Sequence, residues 1–262
     1  MSNEEACCTA VRRFQSKRTG EVIEVIGRPD QTERRKKAVE QLWASQTRRY
    51  AVEHTRVEAF EGQIQDGANF MKLLGAVETA LTGVLPGRFR LAIPVGAASR
   101  RPLDMRGAQA EIVQWILDTS RTMADEQVEV LRSRCLDCDV HLKKVHSHES
   151  RLIVLRAWDS TDGDKRRAER IRRALEAKIP KLLSDAQKSG SESLLVLESD
   201  DIALSNVFEV AAAFKAACEG LTSLPDLVFL TETDAGVPHV WVLKDGDVML
   251  PHEAHYEDYE GG

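Results

Sequence analysis

The sequence leads us to expect neither a membrane span nor a secretory signal. None of its apolar runs approaches the roughly 20 residues that a helix needs to span a bilayer. The opening stretch MSNEEACCTAVRRF is acidic and then basic, without the apolar centre of a secretory signal. Its five cysteines are irregularly spaced, which fits a reducing compartment better than a disulfide framework. We therefore expect a soluble, cytoplasmic protein with no membrane partner.

Several catalytic signatures are also missing. The chain has no Walker A loop, no G-x-G-x-x-G, no G-x-S-x-G and no H-E-x-x-H. Nucleotide triphosphatase, Rossmann dehydrogenase, serine hydrolase and zincin functions therefore have no support. The formal net charge is −6, so the strongly basic balance of many nucleic-acid-binding proteins is absent as well. Locally basic faces remain compatible with this total, because steering depends on where the charges lie.

The apolar pattern that is present predicts an α/β fold. The segments AVEQLWAS (38–45) and RRYAVEHTRVEAF (48–60) read as two strands of a hairpin. A helix follows, and then FRLAIPV (89–95), whose nearly unbroken apolar run predicts a strand buried on both faces. Later, LLVLES, NVFEVAAAFKAACEG and DLVFLTE predict a strand–helix–strand unit with parallel strands.

Together these elements predict one mixed central sheet with an early antiparallel hairpin and helices on both faces. We expect a single domain over residues 1–250. Its hairpin region spans 20–95, and its βαβ half spans 139–250. The acidic tail 251–262 is predicted to be disordered.

The hairpin carries two carboxylates whose positions suggest a metal site. With the turn at Gln46-Thr47, Glu40 lies directly opposite Glu53, and Thr55 shares their face because side chains alternate. Val39 is expected on the other face, with the core. Opposed side chains have Cβ atoms roughly 4.5–5.5 Å apart, so two like charges here cost stability. A divalent cation between the carboxylates removes that cost, and oxygen ligands suit Mg²⁺ or Mn²⁺.

These residues resemble the signature of the PD-(D/E)XK nucleases, which have the restriction-endonuclease-like fold. That signature is an acidic residue on one strand followed by Glu-x-Lys on the next. Glu53-His54-Thr55 matches Glu-x-Lys with threonine in place of lysine, and Glu40 lies where the family has its first acid. Arg28-Pro29-Asp30 supplies a Pro-Asp pair upstream. The helix after the hairpin, the FRLAIPV strand and the βαβ unit are also similar to that fold.

The resemblance implies that a metal-bound water attacks a phosphodiester in DNA, or less readily in RNA. Glu40 and Glu53 would be the metal ligands, with Asp30 and Gln63 as further catalytic residues. Thr55 departs from the pattern, because a hydroxyl cannot supply the positive charge of the expected lysine. Either another residue supplies it, with Lys72 and Arg56 nearby in sequence, or the chain is an inactive nuclease-fold module that binds nucleic acid or a protein.

A simpler interpretation of the hairpin also stands. Its two glutamates are then solvated, or are neutralised by nearby arginines, and form no metal site. The arginines available for this are Arg34, Arg35, Arg48 and Arg49.

Two groups of arginines are candidate phosphate contacts for a nuclease, and a homodimer or a protein partner is also compatible with the sequence. The first group lies along one side of a predicted helix. These arginines could instead belong to a solvated helix face, where they would pair with acidic residues three or four positions away. The second group lies in the loop after FRLAIPV. The residues are Arg166, Arg170 and Arg173 on the helix and Arg100, Arg101 and Arg106 in the loop.

One cysteine-rich segment has part of a zinc-binding pattern. Cys135 and Cys138 have the C-x₂-C spacing, and His141 follows on a predicted strand. Zinc fingers add a second ligand pair at compatible spacing. Here His141 and His146 would face opposite sides of the strand, so a turn with surface histidines explains the segment better than zinc does.

Overall fold

The structure is a computed structural model, and it describes residues 3–32, 38–58, 60, 62–99, 104–147, 149–157, 163–200, 206–233 and 238–249. The helices there are α1 (Asn3–Thr19), α2 (Pro29–Thr32), α3 (Gln63–Leu81), α4 (Met105–Thr119), α5 (Gly163–Ser189) and α6 (Val207–Cys218). The strands are β1 (Glu24–Gly27), β2 (Gln41–Ala44), β3 (Arg49–Arg56), β4 (Arg88–Pro94), β5 (Val128–Ser133), β6 (Cys138–Val145), β7 (Arg151–Ala157), β8 (Glu192–Ser199), β9 (Leu227–Glu232), β10 (His239–Asp245) and β11 (Val248–Met249).

The chain divides into two compact units. Met1–Phe60 and Asp162–Gly262 form the first, unit 1, and Glu61–Thr161 form the second, unit 2. The sequence leads us to expect one domain with one sheet, whereas each unit has its own sheet and its own apolar cluster. The difference arises because the chain leaves unit 1 after β3 and returns to it only at α5, so unit 2 is an insertion.

Unit 1 contains a mixed seven-stranded sheet in the order β1-β2-β3-β8-β9-β10-β11. Its centre is parallel: β3 pairs with β8, and β8 pairs with β9. The edges are antiparallel, through β1–β2–β3 on one side and β9–β10–β11 on the other. The predicted hairpin and the predicted βαβ unit, β8–α6–β9, are therefore confirmed and are joined in one sheet.

Helices cover both faces of this sheet, as predicted, because its central strands are apolar on both sides. On one face, Leu195 and Leu197 of β8 pack in a cluster with residues of α5 and α6, among them Ile171 and Phe214. On the other face, alternate residues of the same strands form a second apolar cluster with α1. This cluster includes Val11 and Phe14 of the helix and Tyr50, Val196 and Phe229 of the strands.

Unit 2 holds the four-stranded sheet β5-β6-β4-β7. The FRLAIPV segment is its strand β4, so this strand does not join the hairpin's sheet. The prediction that it is buried on both faces is wrong: Phe89, Leu91 and Ile93 are buried, whereas Arg90 is exposed. The three apolar side chains pack in a cluster with α3 and α4, and alternation directs Arg90 to the other face.

Helix α5 is the longest helix in the described part of the chain, with 27 residues. It continues through Pro180, where the sequence left a kink or a break open. Within the described ranges, no helix has both the length and the apolar composition of a membrane span. The acidic tail 251–262 lies outside the described residues.

Phe229 gives a direct test of the core between α1 and the sheet. Its ring is fully buried and meets the ring of Phe14 edge to face, with centroids 5.9 Å apart. We expect Phe229→Ala to lower the free energy of unfolding by about 3–5 kcal/mol, since it removes a buried ring and leaves a cavity. The matched control is Phe208→Ala, because Phe208 is 67% exposed. That control should stay within about 0.5 kcal/mol of the wild type. Urea denaturation measures both, and equal losses would contradict the assigned packing.

Candidate functional site

The hairpin has the register that the sequence predicts. Gln41 pairs with Val52, and Trp43 pairs with Tyr50. This register places Glu40, one residue before β2, opposite Glu53 within β3. The two are in direct contact, because the backbone N–H of Glu40 donates to Glu53 Oε1 at 3.1 Å.

Two lysines from α5 meet these carboxylates. Lys178 Nζ lies 2.9 Å from Glu40 Oε1 and 2.9 Å from Glu53 Oε2. Lys181 Nζ lies 2.5 Å from Glu53 Oε1. The ammonium group of Lys178 therefore lies between the carboxylates, at the position where the sequence predicts a divalent cation. Neither lysine was identified from the sequence.

Burial shifts the pKa values of Glu53 and Lys178. Burial raises the pKa of Glu53, whose side chain is fully enclosed, and the charge of Glu40 raises it further. Lys181 and Lys178 lower it, but the pKa stays above its ordinary value. Burial lowers the pKa of Lys178, and the two carboxylates outweigh it, so the net shift is upward. Lys178 is therefore a stable cation at neutral pH.

The second oxygen of Glu40 is bound as well. Glu40 Oε2 accepts from the backbone N–H of His54 at 2.7 Å. This bond is available because β2 begins only at Gln41, which leaves the edge of β3 without a strand partner at His54. As a result, each carboxylate oxygen of Glu40 and Glu53 contacts at least one N–H group.

Two further acids lie near Glu40. Glu4 of α1, Glu40 and His54 each offer a ligand atom, and these atoms lie within 4.8 Å of one another. Burial raises the pKa of Glu4, and the charges of Glu40 and Asp30 add to the shift. The backbone N–H of Asp30 donates to Val39 O at 3.2 Å, which holds Asp30 beside the start of β2. The Oδ1 atom of Asp30 is shielded from solvent and has no hydrogen-bond partner among the residues that the structure describes.

Of the other residues discussed with the hairpin, Thr55 lies where the sequence predicts, whereas Gln63 and Val39 do not. Thr55 is half-buried on β3, two residues after Glu53 and therefore on its face. Gln63 is the first residue of α3 and belongs to unit 2, whereas the two glutamates belong to unit 1. Val39 was expected on the face of Trp43 but belongs to the cluster on the opposite face. The reason is that Val39 precedes β2, where strand alternation does not apply.

The candidate phosphate contacts are divided between the units. On α5 of unit 1, Arg166 and Arg173 are exposed, and Arg170 bonds Glu58 at 3.1 Å. Arg106 is exposed on α4 of unit 2. The remaining two, Arg100 and Arg101, lie outside the described residues.

Of the four arginines proposed to neutralise the glutamates, the two described ones, Arg48 and Arg49, form no ion pair with them. Arg48 lies 3.6 Å from Glu192 instead. Arg34 and Arg35 lie outside the described residues. Among the described side chains, lysines from α5 supply the positive charge at Glu40 and Glu53.

Two sets of three side chains in the described chain could hold a metal ion, and they share His54. One is Glu4, Glu40 and His54, and the other is Cys7, His54 and Glu198. Cys135, Cys138 and His141, the zinc candidates from the sequence, belong to neither.

The pKa of Glu53 predicts a specific dependence of stability on pH. Because the folded protein holds this proton more tightly than the unfolded chain, stability should rise as pH falls through the window above the ordinary value of 4.5. We expect the melting temperature of the wild type, relative to Glu53→Gln, to increase from pH 7 towards 4.5 in chelator-treated buffer.

Glu21→Gln is the control for this measurement. Hydrogen bonds from Ser45 and Thr47 lower the pKa of Glu21, so its contribution should be lost as pH falls below 4.5. A Glu53 difference that decreases in the same way as the Glu21 difference would refute the raised pKa.

Comparison of the chain with known proteins identifies no relative. No protein-family profile matches the chain. Searches of curated proteins and of solved structures also find no significant match. The functional argument therefore depends on the residues and their contacts.

Proposed function

We propose that this chain is a metal-dependent phosphodiester hydrolase that cuts DNA in the cytoplasm. In this proposal it is a divergent member of the PD-(D/E)XK nucleases, and unit 1 is a restriction-endonuclease-like fold. The observation that carries the proposal is the meeting of Glu40 and Glu53 from adjacent strands with Lys178, whose Nζ lies 2.9 Å from an oxygen of each. An acid pair with a lysine is the set of groups that the resemblance requires.

The side chains at this position fit a hard divalent cation. Glu40 and Glu53 offer carboxylate oxygens, which Mg²⁺ and Mn²⁺ prefer as ligands. Glu4 is close to Glu40, and its pKa is raised first by burial and then by the charges of Glu40 and Asp30, whose repulsion a cation would relieve. Asp30 Oδ1, which has no hydrogen-bond partner among the described residues, is a further acceptor beside the start of β2. When bound, the ion would activate a water molecule and neutralise charge on the phosphate.

Lys178 takes the role that Thr55 cannot fill. Its ammonium holds the two carboxylates together, and its raised pKa keeps it charged at neutral pH. Beside a bound divalent ion, the ammonium of Lys178 would donate to a phosphate oxygen and stabilise the charge that develops there. Lys181 stays with Glu53 and keeps that buried carboxylate paired.

A polyanionic substrate also needs positive charge outside the reacting centre. Arg166 and Arg173 are exposed on α5, the helix that carries Lys178. Both precede Lys178 on this helix and are suited to contact phosphates, and such contacts position a nucleic acid without reading its sequence. They support a nucleic acid as the substrate, and the choice of DNA before RNA follows the resemblance.

A specific observation favours a second candidate, an inactive nuclease-fold module that binds nucleic acid or a protein. Glu40 and Glu53 already have an N–H group at each carboxylate oxygen. If these contacts are permanent, Lys178 remains between the carboxylates and no divalent cation enters. Binding then persists without cleavage.

Cleavage assays separate the two candidates. We expect the wild type to cut supercoiled plasmid or single-stranded DNA in Mg²⁺ or Mn²⁺. Glu53→Gln and Lys178→Met should each reduce the rate by about 100-fold or more, as is usual when a group that stabilises transition-state charge is removed. The matched control is Glu24→Gln, an exposed glutamate on β1, which should cut at the wild-type rate.

Circular dichroism must first show that the variants are folded. If the folded wild type cuts neither substrate with either metal, the hydrolase is rejected and the binding module is retained. Cleavage that survives unchanged in Glu53→Gln would show that the activity belongs elsewhere in the chain or to a contaminant.

A further inference from the structure

A separate group of metal-binding side chains lies under helix α1 in unit 1. It consists of Cys7 on α1, His54 on β3 and Glu198 on β8, each of which offers one ligand atom within 4.8 Å of the others. The three residues are 0%, 9% and 2% exposed. A thiol, an imidazole and a carboxylate from three separate elements therefore meet in the interior.

Strand alternation brings them together. Val52 and Val196 belong to the apolar cluster beneath α1. Two residues further along each strand, His54 and Glu198 return to the same face. The apolar cluster thus ends in ionisable groups near the carboxyl ends of β3 and β8. Burying such groups is costly unless they are paired or bind a metal.

His54 and Glu198 lie at ion-pair distance. Nε2 of His54 is 2.9 Å from Oε2 of Glu198, and among the described residues this nitrogen makes no hydrogen bond of acceptable geometry. Two potential metal ligands this close are suited to share one ion.

We propose that Cys7, His54 and Glu198 form a binding site for Zn²⁺. Zinc accepts sulfur, nitrogen and oxygen ligands at about 2.0–2.3 Å, and sites with three protein ligands keep a fourth position for water. Atoms within 4.8 Å of one another need only small shifts to reach those distances. A thiolate ligand selects against Mg²⁺, so this ion differs from the one proposed at Glu40 and Glu53.

The surroundings of Cys7 do not suit a catalytic thiol, because its side chain is closed to solvent. A hydrogen bond to Glu198 also orients one of the proposed ligands. Asn3 Nδ2 donates to Glu198 Oε1 at 3.2 Å, which orients the carboxylate and leaves Oε2 directed towards His54. Outer hydrogen bonds of this kind fix metal ligands in place.

By binding Cys7, His54 and Glu198, the ion would link the first turns of α1 to β3 and β8 in the centre of the sheet. It would also hold the β3 segment whose His54 N–H binds Glu40. The inference does not depend on the proposed hydrolase, because an inactive protein could bind zinc here equally well.

Cobalt substitution tests the site in the full-length chain. The metal-stripped wild type, titrated with Co²⁺, should develop a thiolate-to-cobalt charge-transfer band that saturates at one equivalent, with the visible bands of a tetrahedral ion. Zn²⁺ should displace the cobalt and abolish these bands. Cys7→Ser should lose the charge-transfer band, and Glu198→Gln should weaken binding by about tenfold or more.

Cys8→Ser is the matched control. Cys8 is the neighbouring residue on α1 and is equally buried, at 1% exposed, but it belongs to neither metal-binding group. This variant should keep the wild-type cobalt spectrum. Zn²⁺ in large excess over its dissociation constant should raise the melting temperature of wild type and Cys8→Ser by roughly 5 °C or more. It should not raise that of Cys7→Ser.

Two results would overturn the inference. One is the absence of a thiolate band in cobalt-loaded wild type, a result that does not depend on how any variant folds. The other is an identical band in Cys7→Ser and Cys8→Ser, with both variants shown to be folded by circular dichroism. Neither result bears on DNA cleavage, so the zinc site and the proposed hydrolase are tested independently.

Discussion

Two carboxylates that face each other across neighbouring strands are the constraint on which unit 1 depends. Glu40 and Glu53 are brought together by the register of the β2–β3 hairpin, and their repulsion inside the protein must be offset by positive charge. Lys178 and Lys181 supply it. Both lie on α5, so the helix that covers this face of the sheet also neutralises its buried acids.

The charge balance at this position affects both the stability of unit 1 and the proposed metal site. With two carboxylates and two ammonium groups, the group is neutral and each component is needed to hold the others. A divalent ion in the place of the Lys178 ammonium would neutralise both carboxylates and leave one net positive charge with Lys181, which suits a phosphate substrate. The difference between a structural ion pair and a metal site is therefore a difference in which cation is preferred.

The local part of this arrangement could be predicted from the sequence, because turns and strand alternation act over a few residues. The turn at Gln46-Thr47 was enough to place Glu40 opposite Glu53. The strand–helix–strand unit after α5 was also evident from its apolar runs. Val39 was misplaced because alternation stops at the strand end, and β4 was misjudged because an apolar run does not reveal how many faces it buries.

The decisive contacts could not be predicted because they join distant parts of the chain. Lys178 lies 125 residues after Glu53, and all of unit 2 intervenes. Its only signal was its position on α5 beside the apolar stripe of Ile171, Leu175 and Ile179, which predicts that it borders the core. No local pattern says which strand such a helix covers. The division into two units escaped prediction for the same reason, since no change of composition marks an insertion.

The most direct test of the account is the affinity of the protein for Mg²⁺, measured by calorimetry on wild type, Lys178→Met and Glu53→Gln. If the ammonium and the divalent ion compete for one position between the carboxylates, Lys178→Met will bind Mg²⁺ several-fold more tightly than wild type. Glu53→Gln will then bind it far more weakly. Equal affinity in all three proteins would contradict the account, because it would show that the two carboxylates are not the place where the ion binds.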